Sequence, residues 1–108
     1  MLPEKTPVKL IMNWNIQYGK DQEYFEFVMR EWVPATTRMG LRVLGAWFSV
    51  YTHDPSQPRI MAEAHAEDLP TMRAILRSDE WKQTHARLLE YVEDYTQKVV
   101  YVNGDFQL

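Results

Sequence analysis

Between Leu41 and Thr52 the chain reads LRVLGAWFSVYT, a β-favouring stretch that is apolar on both of its faces. By strict alternation Leu41, Val43, Gly45, Trp47, Ser49 and Tyr51 share one side, and Leu44, Ala46, Phe48 and Val50 share the other. A strand apolar on both sides is covered on both sides. One layer of helices covers only one, so the sheet containing this strand calls for a second cover. The run that follows, His53-Asp54-Pro55-Ser56-Gln57-Pro58, is turn chemistry, with His53 exposed in it. The chain then returns as Arg59 to Glu67, with Ile60, Ala62, Ala64 and Ala66 facing one way and Met61, Glu63, His65 and Glu67 the other.

Val8 to Ile16 (VKLIMNWNI) reads as an earlier strand that ends at the loop signal Gln17-Tyr18-Gly19. Asp21 opens an amphipathic helix whose stripe is Phe25, Val28, Met29 and Trp32. Pro34 should kink or divide it, and Gly40 is its natural stop. After the hairpin, Asp68 with Leu69-Pro70 begins a second helical region through Met72, Ile75 and Leu76. It restarts at Ser78, an N-cap with Asp79 and Glu80 in the first turn. Trp81, His85, Leu88, Val92 and Tyr95 then recur at intervals of four, three, four and three residues. That spacing predicts a helix running to Lys98, and Val99 to Val102 as a short last strand before Asn103-Gly104.

The resulting order, strand–helix–strand–strand–helix–strand, is that of a ferredoxin-like α+β sandwich: a four-stranded antiparallel sheet with two helices on one face. The chain of 108 residues reads as one domain over 1–108, with 45% hydrophobic residues to build its core. A second copy of the chain is the simplest cover for the bare sheet face, which predicts a homodimer.

Composition excludes several chemistries. The net charge is −3, with 12 basic and 15 acidic residues mixed along the chain, so no basic stripe suits nucleic acid. With no cysteine there are no thiolate nucleophiles, disulfides or cysteine metal sites, which fits a reducing cytoplasm. The apolar runs are far shorter than the ~20 residues that span a bilayer, and the start of the chain does not read as a signal peptide. No serine elbow, phosphate loop or dinucleotide fingerprint is present.

Gly45-Ala46-Trp47 on the doubly apolar strand, and Ser78-Asp79-Glu80-Trp81 followed by His85, resemble segments of the dimeric α/β-barrel superfamily. That group includes the antibiotic-biosynthesis-type monooxygenases, the haem-degrading monooxygenases and the NIPSNAP proteins. The chain is most similar to NIPSNAP-like sequences, in the long first helix, the Gly-Ala-Trp strand and the acidic opening of the second helix. The resemblance extends in element order over nearly the whole chain and implies the ferredoxin-like dimer.

The resemblance also singles out residues. His85 stands where haem-degrading relatives carry a haem-ligating histidine, although the tryptophan they place ten residues earlier is Ile75 here. Three readings fit His85: a hydrogen-bonded histidine of the core or a pocket wall, a substrate contact or acid/base group, and a haem ligand. Related monooxygenases use a first-strand asparagine on substrate or oxygen, and either Asn13 or Asn15 matches that role; a wet dimer interface is the alternative for both. His65 between Glu63 and Glu67 forms a polar row, but residues two apart on a strand lie about 7 Å from one another, so the three cannot hold one metal ion alone. Trp14, Trp32, Trp47, Tyr51, Tyr18 and Trp81 are the aromatic groups that would stack a flat ligand or fill the core.

Three functions are consistent with this pattern. One is a small-molecule-binding dimeric α/β-barrel protein working as a cofactor-independent monooxygenase, with His85, Asn13 or Asn15, Trp47, Tyr51, Trp81 and His65 lining its site. Another is a non-catalytic NIPSNAP-like dimeric interaction module. The third is haem binding and degradation. The first predicts a small hydrophobic or aromatic ligand in a pocket between the second helix and the sheet, with no cofactor and no metal.

Overall fold

The computed structural model describes residues 6–49 and 59–102, and their side chains except at 45–49 and 59. β1 (Val8–Ile16), β2 (Arg42–Ser49), β3 (Arg59–Ala66) and β4 (Val92–Tyr101) lie side by side in the order β2-β3-β1-β4. Every pairing is antiparallel. Crossing the sheet on one face are α1 (Asp21–Phe27), a π-helical turn (Val28–Trp32) and α2 (Val33–Arg38), which form one continuous interrupted helix. α3 (Leu69–Arg77) and α4 (Asp79–Leu88) follow β3 on the same face. This is the α+β, ferredoxin-like arrangement.

The core lies between sheet and helices. Val8, Leu10, Met12 and Trp14 of β1 are at most 1% exposed, and Ile60, Ala62, Ala64 and Ala66 flank them on β3. Small alanines on the central strand leave room for the large rings of Trp14, Trp32 and Trp81, which fill the layer beneath the helices. On the other face Lys9, Ile11, Asn13, Met61, Glu63 and His65 are half-buried.

Capping groups set the helix limits where the sequence marked them. Asp68 accepts a hydrogen bond from Thr71 N at 2.8 Å, and Ser78 accepts one from Trp81 N at 3.1 Å. Gly40 takes φ +99°, and Gly40 N and Leu41 N donate back to Thr37 O and Thr36 O. That double return is a Schellman closure, and its left-handed residue explains the glycine.

Three expectations change. The first helix is interrupted just ahead of Pro34 by a π-helical turn, with the proline in the first turn of α2, and its inner face differs from the expected one: the buried residues are Tyr24, Phe27, Trp32, Ala35 and Thr36. Phe25 and Met29, placed on the inner stripe by the sequence, are 47% and 70% exposed. In an unbroken α-helix each step of four residues overshoots by about 40°, and the wider π turn takes back part of that drift, keeping Tyr24 and Trp32 on one side.

The second correction concerns the last helix, which stops at Leu88 and does not run to Lys98. Chain turns at Leu89–Tyr91 are held by Tyr91 N to Leu88 O at 2.9 Å and by Lys20 Nζ to Glu90 O at 2.9 Å. β4 then runs the whole length of β1.

The third is in β2. Val43 stands opposite Ala64 but Gly45 stands opposite Glu63, so a bulge at Leu44 breaks the alternation that placed Val43 and Gly45 on one face. Residues 50–58, with Tyr51 and His53 and the hairpin turn, lie outside the described residues.

Candidate functional site

A run of aromatic rings joins the helix layer to the sheet. Trp81 and His85, one turn apart on α4, stack with centroids 5.6 Å apart and planes at 14°. His85 meets Tyr95 of β4 edge to face at 4.5 Å and 68°. Tyr95 stacks on Trp14 of β1 at 5.9 Å and 8°. Trp14 in turn meets Tyr24 and Trp32 edge-on at 6.4 and 6.0 Å. Four elements thus place six rings in contact, and the sheet floor beneath them is β1 and β4.

The polar atoms of this run divide into satisfied and unsatisfied. Trp14 Nε1 donates to Tyr24 Oη at 2.9 Å, and Tyr95 Oη donates to Gln97 Oε1 at 2.8 Å. His85 Nε2 and Trp32 Nε1 are buried with no hydrogen-bond partner. A buried donor or acceptor left unpaired costs about 1–3 kcal/mol, so each asks for an explanation.

Burial shapes the protonation states. Desolvation holds the His85 imidazole below its ordinary value of 6.5, so it is neutral at pH 7. Burial pushes the Tyr24 hydroxyl up to about 12, offset in part by the hydrogen bond from Trp14, and drives Tyr95 upward as well. With both tyrosines pushed upward, His85 is the acid/base group of this run.

The sheet separates residues that the sequence reading grouped. Leu10, Met12 and Trp14 face the helices, so Asn13 and Asn15 lie on the opposite face from His85. Asn15 is bound up in the fold, its Nδ2 donating to Asp94 Oδ2 at 3.2 Å. Asn13 is half-buried, paired in register with Met61 on one side and Thr96 on the other. His65 is also on this face, between Lys9 and Arg42 in register. Its Nε2 is buried without a hydrogen-bond partner and lies 3.8 Å from Glu63 Oε1, which Lys9 Nζ holds at 3.1 Å. Among the described residues no group of three or more histidines and carboxylates could hold a metal ion.

Trp81 sits in the ring run, whereas Trp47 is placed only by register, opposite Met61 on β2. Tyr51 lies outside the described residues. Tyr18 is fully exposed and takes no part in the aromatic interior. Two grooves lined by described residues do not touch His85. One, of about 640 Å³, has Arg42, His65 and Thr71 in its walls, and the other, of about 400 Å³, lies along the outer seam between the first helix and α4. Tyr24 was missed, since the helical stripe was set one residue too late. The alternation of β1, which turns Trp14 inward, is the signal that asks for an acceptor such as Tyr24 across from it.

No family model matches the sequence, and no curated protein matches it. Solved structures do. A NIPSNAP family protein from Agrobacterium tumefaciens superposes with a TM-score of 0.66 at 16% identity, over 98% of this chain and 94% of its own. A NIPSNAP domain protein from Burkholderia xenovorans gives 0.67 at 14% identity, over 94% and 99%. The fold is that of the NIPSNAP structures. A candidate antibiotic biosynthesis monooxygenase from Nitrosomonas europaea shares it too, with a TM-score of 0.64 at 8% identity over 97% and 98% of the two chains. The resemblance read from Gly45-Ala46-Trp47 and Ser78-Asp79-Glu80-Trp81 therefore holds at the level of fold. No helix among the described residues is long and apolar enough to cross a membrane.

Proposed function

We propose that this NIPSNAP-fold chain binds a small flat aromatic compound against the Trp81–His85–Tyr95–Trp14 run, and that it works as a cofactor-independent monooxygenase in a homodimer. The observation that carries the reading is His85 Nε2: a buried, neutral, unpartnered imidazole nitrogen set between aromatic rings. Neutral imidazole in an apolar surrounding is a base without a proton to give up first, and stacked rings suit a flat ligand.

The reaction balances with dioxygen as the only co-reactant. His85 removes a proton from an activated methylene or hydroxyl of the aromatic substrate. The electron-rich anion transfers its electrons to dioxygen and a carbon–oxygen bond forms. Loss of the second proton and cleavage of the oxygen–oxygen bond leave a carbonyl and one water, so R2CH2 and O2 become R2CO and H2O. Rings around His85 exclude the water that would quench the anion.

Oxygen uptake with an anthrone as the activated methylene substrate tests this. The protein should raise the rate above the spontaneous one, and His85→Ala should lose most of that increase. Binding without turnover in the wild-type chain would leave a ligand-binding module. Absence of binding would favour the second reading, a non-catalytic NIPSNAP-like dimeric interaction module.

Haem is the third reading. His85 offers an unpaired nitrogen, but Ile75 stands in the core at 7% exposure where the haem-degrading pattern has tryptophan, so the pattern is incomplete here and no step is assigned to haem. Titration with hemin should leave the Soret band where free hemin has it.

A further inference from the structure

Lys9 of β1, His65 of β3 and Arg42 of β2 stand in one row across the sheet, with His65 the register partner of both others. Directly opposed residues of antiparallel strands share a face and hold their Cβ atoms about 4.5–5.5 Å apart. Three nitrogen-bearing side chains thus project side by side, on the face turned away from the helices.

Such a row calls for acceptors, because like charges opposite one another are destabilising. Glu63 supplies one. Its Oε1 lies 3.1 Å from Lys9 Nζ and 3.8 Å from His65 Nε2, so it pairs with the lysine and stops short of a hydrogen bond to the imidazole. Arg42, exposed at the start of β2, has no ion-pair partner among the described residues. The row is therefore answered at its Lys9 end and open at its Arg42 end.

Space for an answer lies at that open end. Arg42 and His65 line a groove of about 640 Å³ where β2 begins and β3 ends, with Gly40, Ala66 and Thr71 in the same wall. Gly40 is held at φ +99° by the turn that closes the first helix, so that part of the wall carries no side chain. Glu67 is the carboxylate of the lining, and it accepts from Thr71 Oγ1 at 3.4 Å. The fixed cations Arg42 and Lys9 are matched in number by Glu63 and Glu67, so one added negative charge suits the groove and a dianion does not. A guanidinium fork fits the two oxygens of a carboxylate, and small apolar groups make up the wall beside it.

We infer that this groove binds a compact aliphatic monocarboxylate, with its carboxylate forked on the Arg42 guanidinium and its apolar body against the His65 ring, Ala66 and Gly40. The site is on the other side of the sheet from His85, so the inference does not depend on the aromatic-site reading.

The probes are cyclohexanecarboxylate and cyclohexanecarboxamide, which share one outline and differ in charge. Their saturated ring is not flat and does not suit stacking on the ring run. Both are titrated at low ionic strength into protein labelled with nitrogen-15 at arginine, and the Arg42 Nε–H peak is followed. The acid should move that peak and bind at least about tenfold tighter than the amide, the worth of a charge-assisted hydrogen bond. Arg42→Gln should abolish the preference, and Arg42→Lys should restore only part of it, since lysine keeps the charge without the fork. Arg73→Gln removes an exposed charge that is not in the groove lining, and should change nothing. Equal affinities, an unmoved Arg42 peak, a preference that survives Arg42→Gln, or an equal loss in Arg73→Gln overturns the inference. Inorganic phosphate binding as tightly as the acid overturns the monocarboxylate assignment. No binding of the acid, together with a change of oligomeric state in Arg42→Gln, overturns it in favour of a carboxylate from a second copy. Should Arg42→Gln not fold, the wild-type affinity ratio and the Arg42 peak decide.

Discussion

Tyr95 stacks on Trp14, ring centroids 5.9 Å apart and planes 8° from parallel, across a bulge whose extra residue, Asp94, has φ +56°. β4 pairs Thr96 with Asn13 and Glu93 with Asn15, so two residues of β4 answer Trp14 alone. Asp94 absorbs the surplus, and Tyr95 is returned to the helix side, where His85 reaches it. A left-handed backbone is tolerated by Asp and Asn but is strained for a β-branched residue. Asp94→Val should therefore lower stability by about 1–3 kcal/mol in urea unfolding. Asp94→Asn keeps the tolerance and an oxygen for Asn15 Nδ2, and should stay close to wild type. Equal losses in the two variants would show that backbone strain is not the cause.

Ser78 joins two helices. Its hydroxyl donates to Ile75 O at 2.7 Å, ending α3, and accepts from Trp81 N at 3.1 Å, starting α4. Ser78→Ala removes both bonds and should cost about 1–2 kcal/mol. The effect should include altered His85 ring shifts in NMR spectra, because Trp81 and His85 stack on the turn that Ser78 caps. Wild-type stability in Ser78→Ala would mean that water replaces the hydroxyl at no loss.

Much of the fold was legible in the sequence because its signals are local. β1 has the limits Val8–Ile16 that its β-favouring run and the loop signal after it marked, and Asp68, Ser78 and Gly40 cap where their chemistry says they should. What was misread comes from two insertions that change a period without changing composition. The bulge at Asp94 puts Val92 and Tyr95, three residues apart, on one face of a strand, which imitates the helical interval that precedes it. No glycine or proline marks the turn after Leu88, so nothing local contradicts the longer helix. The π turn acts likewise in the first helix, moving the inner face from Phe25 and Met29 to Tyr24 and Phe27. Of the candidate site, His85 and Trp81 were legible from their stripe. That the sheet separates them from Asn13 and Asn15 follows from the inward direction of Trp14, which pattern alone does not connect to a helix far along the chain.

The half-buried face of the sheet yields a prediction about assembly. Ile11 and Met61 lie on it, near Asn13, with no helix over them among the described residues. A homodimer through this face buries them, and a charge placed there without a partner opposes association. Light scattering should find the wild-type chain as a dimer, and Met61→Glu as a monomer with unchanged helix content. A monomeric wild-type chain would remove the homodimer from the proposed function.

His85 sets the expected response to acid. Desolvation holds its folded pKa below the ordinary 6.5. As pH falls through 6.5 the unfolded chain therefore takes up a proton that folded His85 does not, and stability falls. The loss levels off once the pH is low enough to protonate His85 in the folded protein, and above 6.5 the group is neutral in both states and contributes nothing. The measurable quantity is the difference between wild type and His85→Gln, from which the contributions of all other groups cancel. That difference in unfolding free energy should shrink or reverse as pH is lowered below 6.5, since the variant has no imidazole to leave unprotonated. Catalysis should follow the same group with a rising acid limb, because only neutral His85 can accept the substrate's proton. A wild-type-minus-variant difference that stays constant across this window would mean that His85 titrates as it does in water, and the buried-base reading would lose its support.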